Sequence, residues 1–349
     1  MDKLAQQSAE ERRAYFQEAA AKLSLPPHVV EKDFWVCWTL KHLFVLECVR
    51  GNLLFKGGTS LSKVYGLIHR FSEDIDLSIH RASLGFEGDT DPANTELSNN
   101  ARKRQNVALT LAARDLVQGD IREELEKLMH NLLGNAEYSL IPDETDPDGQ
   151  SLAFFYPSTS ITLGANSYLR PSVKIEFGAR SDHWPSETRT LQPYLSEAIP
   201  DALEQAHVEV KSMKATRTFW EKATILHQMA HLPDGKSFPV RYSRHYSDLA
   251  AMIKAGIGEE AAGHDGLLQA VVDHKTSFYR SAWASYETAN RGALRLIPTD
   301  DHLAELESDL GSMREMFFGV PPQLDDILTT LRNWETHFNQ TIQREDTRH

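Results

Sequence analysis

FKGGTSLSKVYGLIHRFSEDIDLSI, residues 55–79, reads as the end of a strand, a glycine turn, a helix and a second strand. A strand over residues 49–55 runs into Gly57 and Gly58. Two glycines between a strand and a helix let the backbone approach a ligand closely. The helix that follows, predicted over residues 59–69, offers unpaired N–H groups and the positive end of its dipole to an anion. Thr59 or Ser60 can cap that helix or bind a phosphate oxygen, and Lys63, one turn on, adds a cation. The order differs from GxxxxGK[ST], so this is not a Walker A loop. Residues 74–80, DIDLSIH, alternate as a strand, which points Asp74 and Asp76 from one face and Ile75 and Leu77 into a core. Adjacent carboxylates repel at neutral pH unless a divalent cation neutralises them. Oxygen-only ligation favours Mg²⁺, held between carboxylates and a nucleotide's phosphates.

Metal-assisted phosphoryl transfer of this kind calls for a third carboxylate on a neighbouring strand. Glu176 in SVKIEFGAR (residues 172–180) is the candidate: alternation places Lys174 and Glu176 on one face, with Val173, Ile175 and Phe177 on the other. An exposed strand would carry the same pair without any function.

Outward from these motifs the chain divides by pattern. Residues 1–23 form a helix and Pro26-Pro27 break it. Residues 28–44 are helical, with Phe34, Trp35, Trp38 and Phe44 on what reads as a core-facing side. Residues 85–100 are a polar loop, and 101–133 are helical with an interruption near Gly119. Strands are predicted at 152–156, 160–163 and 172–177, with DETDPDGQ (143–150) as a hairpin tip or loop. From Thr216 the pattern is helical to the end, broken at 233–239, 256–258, 297–299 and 319–322. Strands concentrated before residue 215 and helices after it give an α+β fold. We divide it into N-terminal helices over 1–48, a core over 49–215 and a helical C-terminal domain over 216–349. His227 and His231, at i, i+4, have no third ligand or HExxH glutamate and read as helix-surface histidines. EKD at residues 31–33 is open: it buttresses a site or starts its helix. Lys275, Phe278, Tyr279 and Arg280 fit a nucleic-acid contact or a solvated helix with two buried rings equally well.

The bulk numbers set limits. The 349 residues carry a formal net charge of −13, so no general basic surface is available to coat with nucleic acid. Local cation clusters at Arg102, Lys103 and Arg104, at Lys211, Lys214, Arg217 and Lys222, and at Lys236, Arg241 and Arg244 are the only candidates. No apolar run reaches the ~18–20 residues of a membrane span. A polar N-terminus and two cysteines, Cys37 and Cys48, outside any ligand spacing point to a reducing cytoplasm.

The string KGGTSLSKVYGLIHRFSEDIDLSI resembles the signature of the AbiEii/AbiGii nucleotidyltransferase toxins, within the DNA polymerase beta-like nucleotidyltransferase superfamily. EKDFWV (31–36), KIEFGAR (174–180), TFWEKATIL (218–226), RHYSDLAAM (244–252) and the segment 294–319 extend the likeness along most of the chain. The resemblance implies a polymerase-beta-like core, a mixed sheet flanked by helices, with a helical C-terminal domain completing a cleft. It implies catalytic roles for Asp74, Asp76, Glu176, Lys222 and Asp248. It further implies Mg²⁺ (two ions, with Mn²⁺ as an alternative) on Asp74, Asp76 and Glu176. A nucleotide would be bound by Lys56, Gly57, Gly58, Thr59, Ser60, Lys63, Arg70, Ser72 and Lys222. The superfamily's usual third acid is Asp; here it is Glu176, one methylene longer with the same ligating oxygens. The implied activity is transfer of a nucleoside monophosphate from an NTP to RNA, such as the tRNA 3′ end. The implied setting is a toxin–antitoxin or phage-defence pair with a cognate antitoxin protein. A silent NTP-binding regulator, or transfer to a protein or small molecule, is the alternative. Taken without the resemblance, Lys222 and Asp248 would be an ion pair joining two domains.

Overall fold

A computed structural model describes residues 1–72, 74–159 and 171–340. The chain divides into two compact units: Met1–Val64 with Phe71–Met213, and Tyr65–Arg70 with the chain from Lys214 onward.

In the first unit, α1 (Asp2–Ala5) and α2 (Ala9–Leu23) are separated where one helix was expected, because Ser8 and Glu11 form a capping box that starts a new helix. Helix α3 (Pro27–Leu43) begins at the Pro pair and is buried over almost its whole length. Trp35 stacks on Tyr156 at 5.5 Å and Trp38 on Phe154 at 5.9 Å, while Phe34 meets Phe16 of α2 at 5.6 Å. Phe44 sits at the helix end and is only half-buried. Truncating a ring as enclosed as Trp35 to Ala would cost about 3–5 kcal/mol.

Seven strands follow: β1 (Leu53–Lys56), β2 (Ile75–Ile79), β3 (Ser139–Pro142), β4 (Ser151–Phe155), β5 (Ser172–Gly178), β6 (Ser186–Leu191) and β7 (Val208–Met213). They form one mixed sheet in the order β3-β4-β5-β2-β1-β7-β6, with β2–β5 and β1–β7 parallel and the other pairs antiparallel. The expected mixed sheet with flanking helices is therefore present. The strand before the glycines is shorter than the sequence pattern: a 3₁₀ turn (Glu47–Val49) and Gly51 at φ +74° occupy its first residues. Helix α4 spans Gly57–Lys63, beginning at the glycine and ending well short of residue 69. Helices α5 (Asn99–Leu116) and α6 (Arg122–Leu133) are joined by a π-type turn at Val117–Ile121, where Gly119 takes φ −96°, ψ −105°, the expected interruption. Loop 143–150 is the tip of the β3–β4 hairpin. Strand β6, SETRTL, was invisible to periodicity because it is a polar edge strand with one buried residue. The expected strand at 160–163 lies outside the described residues. A short helix, α7 (Tyr194–Ala198), precedes β7.

The second unit is helical: α8 (Ala215–Met229), α9 (Ser243–Lys254), α10 (Ile257–Ala262), α11 (Leu267–Phe278), α12 (Leu303–Ser312) and α13 (Leu324–Gln340). Phe219 and Trp220 of α8 pack on Trp334 and Phe338 of α13, with centroids 5.0 Å apart for Phe219–Trp334 and 5.3 Å for Trp220–Phe338. Helix α10 passes so close to Trp334 that a Cβ on Gly258 would lie 2.6 Å from its indole nitrogen. His227 is a correction: it is fully buried, not on a helix surface. Its Nδ1 accepts from the Arg295 backbone N–H at 3.0 Å, so Nε2 carries the proton and faces the Ser285 carbonyl, also at 3.0 Å. Two loops are tied to α8 through this ring, and Tyr286, donating to Gln228 Oε1 at 2.8 Å, adds a second tie to the first of them.

Candidate active site

Strand register assembles the acidic part of the site. Lys56 is opposite Asp76 across the β1–β2 pair, Asp76 is opposite Glu176 across β2–β5, and Ser151 is opposite Glu176 across β5–β4. Residues directly paired share a face, so Lys56, Asp76 and Glu176 stand side by side across three strands. Asp74 lies just before β2 and is half-buried. Lys174, two residues before Glu176 on the same face, places Nζ 2.6 Å from Glu176 Oε1 and 3.2 Å from Asp143 Oδ2. Burial alone would raise the Glu176 carboxyl; hydrogen bonding and charge from Lys174, with Asp76 and Lys56, hold it below its ordinary value instead. Burial likewise works against charge on Lys174, and its two carboxylates push it above the usual lysine range.

Gly57 is the turn on which this row depends. It has φ +78°, and a Cβ built on it would lie 1.9 Å from Asp76 Oδ2. Only glycine gives both the left-handed backbone and the room for that carboxylate. Gly58 follows, half-buried, in the first turn of α4. Thr59 and Ser60 are fully buried, and neither caps the helix with its side chain. Thr59 Oγ1 lies 2.9 Å from Ser72 Oγ and donates to the Asp74 carbonyl, and Ser60 Oγ donates to the Gly57 carbonyl at 3.1 Å. Both hydroxyls fasten the turn and the approach to the acids.

Lys63 is held inside the fold. Its ammonium is 5% exposed, 2.7 Å from Asp33 Oδ1 and 3.7 Å from the Tyr194 ring centroid. Burial would lower its pKa, but Asp33 above all drives it upward, so it is a buried cation already paired within the fold. The open question of EKD is answered with it: Asp33 also accepts from the Tyr194 backbone N–H at 2.6 Å, and Glu31 accepts from that of Thr159 at 2.7 Å. These acids brace α3 against the segments around it.

The second unit builds its own charged cluster from three separate stretches. Asp248 on α9 accepts two bonds from Arg70, Nε–Oδ1 at 2.7 Å and Nη2–Oδ2 at 2.8 Å, and a third from Lys222 Nζ on α8 at 2.8 Å. Asp248 is 1% exposed, and its carboxyl, raised by burial, is brought far below the ordinary range by the two cations, Arg70 first. Asp248 thereby joins Arg70 and Lys222 in one buried cluster. Lys222 is lowered, chiefly by burial, against the pull of Asp248. His245 Nδ1, 3.5 Å from Lys222 Nζ, is held neutral by burial and the surrounding cations. His245 escaped the sequence reading, although its place one turn before Asp248 is a usable signal. Lys222 and Asp248 lie within one unit, so they are not an ion pair between domains. Arg217 is buried against Glu221, so with Lys222 two members of the Lys211–Lys222 cluster are interior groups and no surface patch.

A metal fits the donors. Asp76 and Glu176 offer only carboxylate oxygen, as a hard divalent cation requires, and Mg²⁺ is characteristically held by one or two carboxylates with substrate phosphates completing its shell. Among the described residues no three His, Cys, Asp or Glu side chains gather closely enough to hold an ion by themselves. The protein's share of such a site is the paired acids.

A strand–glycine–helix turn set against one of two paired acids on a mixed sheet suits metal-assisted phosphoryl transfer. Residues 38–333 match the family model for the AbiEii toxin, a nucleotidyl transferase of a type IV toxin–antitoxin system, and the chain belongs to that family. No curated protein matches the chain. Among solved structures it is similar to MenT4, a nucleotidyltransferase toxin from Mycobacterium tuberculosis, at 18% identity over 97% of this chain and 87% of that one, with a TM-score of 0.39. That superposition is too loose to carry residue roles across.

Proposed function

We propose that this enzyme transfers a nucleoside monophosphate from an NTP to a hydroxyl of RNA, such as the tRNA 3′ end, releases pyrophosphate, and acts as a toxin restrained by a cognate antitoxin in the cytoplasm. A role in phage defence belongs to the same reading. The single observation that carries the chemistry is the register that sets Asp76 beside Glu176, with Gly57 shaped around the Asp76 carboxylate.

In this reading Asp76 and Glu176, side by side in register, would hold Mg²⁺, or Mn²⁺ in its place, while Asp74, the third ligand that the resemblance implies, is not gathered with them among the described residues. Such an ion would supply charge neutralisation at the phosphates and a lowered pKa at the acceptor hydroxyl. Glu176, beside Asp76, is the base for that hydroxyl's proton. Lys56, on the same face, and the backbone of Gly57 and Gly58 take the triphosphate. Ser72 and Thr59 hold the approach to Asp74 in place. Lys222 stabilises charge developing on the leaving pyrophosphate, and Arg70 and Asp248 keep its ammonium fixed. No helix among the described residues is long and apolar enough to cross a membrane.

The test is incubation with each α-labelled NTP, Mg²⁺ and total cellular RNA. Label in tRNA, abolished by Asp76→Asn, is the expected result. Label in protein or in a small molecule would replace the acceptor, and label that survives Asp76→Asn would overturn the assignment of the site.

A further inference from the structure

Lys174 is the residue of the acidic row that the proposed chemistry leaves unused. Its Nζ stands between two carboxylates, 2.6 Å from Glu176 and 3.2 Å from Asp143. The two anchors differ in kind. Glu176 is paired in register with Asp76, so any charge it carries faces a second acid. Asp143, at the end of β3, is fixed without the lysine: its Oδ1 accepts from the Thr145 backbone N–H at 2.9 Å and from Thr145 Oγ1 at 2.7 Å, leaving Oδ2 to face Lys174. A lysine ammonium is a point charge on a flexible four-carbon stem and can shift between such anchors without losing its partner.

We propose that Lys174 is a built-in counter-cation of the acidic row, which occupies Glu176 in the ion-free enzyme and withdraws to Asp143 when Glu176 engages a divalent ion. The inference rests on the reading that Asp76 and Glu176 hold metal, and adds to it a means by which the chain sets its own metal affinity. In the ion-free state the ammonium offsets the repulsion of two abutting carboxylates. With an ion bound, the same position would set like charges side by side, and the second anchor removes that conflict. Because ammonium and ion compete for one carboxylate, whatever strengthens the Lys174–Glu176 contact weakens ion binding by the same factor.

Two substitutions move the competition in opposite directions. Mn²⁺ alone is titrated into the full chain, and free ion is read by electron paramagnetic resonance. Lys174→Met removes the competitor and should tighten Mn²⁺ binding roughly three- to tenfold, the net worth of one ordinary hydrogen bond, because the ammonium keeps Asp143 as a second partner. Asp143→Asn removes the refuge, confines the ammonium to Glu176, and should weaken Mn²⁺ binding by about twofold to threefold. Lys174→Gln, which keeps a hydrogen bond to Glu176 without the charge, should fall between wild type and Lys174→Met and serves if the methionine variant fails to fold. Unchanged or weaker binding in both Lys174 variants, or a shift of the same sign in Lys174→Met and Asp143→Asn, overturns the proposal. Failure of the underlying reading looks different: Mn²⁺ binding would then be absent in wild type or unaltered by Asp76→Asn.

Discussion

The carboxylate of Asp76 rests against the α-carbon of Gly57, so close that a methyl group there would come within 1.9 Å of Oδ2. Strain and clash coincide at this one residue, since Gly57 also holds φ +78°. Gly57→Ala should therefore lower transfer at least about a hundredfold, because Asp76 must leave its place opposite Glu176. Gly51, at φ +74° with open space around it, isolates the backbone term. Gly51→Ala should cost only about 1–2 kcal/mol of stability and leave turnover intact. Comparable activity losses in the two variants would show that strain, not the Asp76 contact, matters.

Lys63 supplies a contrast between structural and nucleotide-binding cations. Its loss leaves Asp33 as an uncompensated buried charge, so Lys63→Met should destabilise by about 3–5 kcal/mol while KM for the NTP stays within about twofold of wild type. Pairing it with Asp33→Leu should restore much of that stability. Denaturant unfolding and steady-state kinetics on the single and double variants separate the two effects; a large rise in KM would return Lys63 to the nucleotide.

The Arg70–Asp248–Lys222 cluster predicts a split between stability and turnover. Asp248→Ala abandons two buried cations and should cost about 3–5 kcal/mol. Lys222→Met leaves the two-bond Arg70–Asp248 pair in place, so it should cost less stability than Asp248→Ala yet lower kcat by roughly a hundredfold or more. Equal destabilisation by both substitutions, with kcat unchanged in Lys222→Met, would reduce the lysine to a packing element.

A pH dependence follows from His227, whose pKa burial pushes down to about 4. In the unfolded chain an ordinary histidine titrates near about 6.5, so between these values the unfolded state binds the extra proton. Stability must then be fully present above pH ~6.5 and decline as pH falls toward about 4. His227→Gln should flatten the fall of unfolding free energy across that window. An identical slope in wild type and variant would place the titration elsewhere.

The residues themselves determined everything that depends on local periodicity. Alternation in DIDLSI and SVKIEFG fixed which side chains share a face, Gly57 marked the end of β1 and Gly119 the break between two helices, and the ring spacing of α3 identified its burial. Each of these is written within a few residues, where the pleat or the helical turn alone relates one side chain to the next. The family resemblance, too, was legible in short motifs. The fold added what no window of sequence contains. It set Glu176 opposite Asp76, turned Lys63 toward Asp33, bound Thr159 to Glu31, buried His227 among loops from far along the chain, and joined Arg70 to an aspartate distant in sequence. These pairings arise when elements remote in the chain are pressed together and their buried charges and N–H groups must find partners. A sequence states which groups need satisfying, and tertiary packing alone selects the partner that satisfies them.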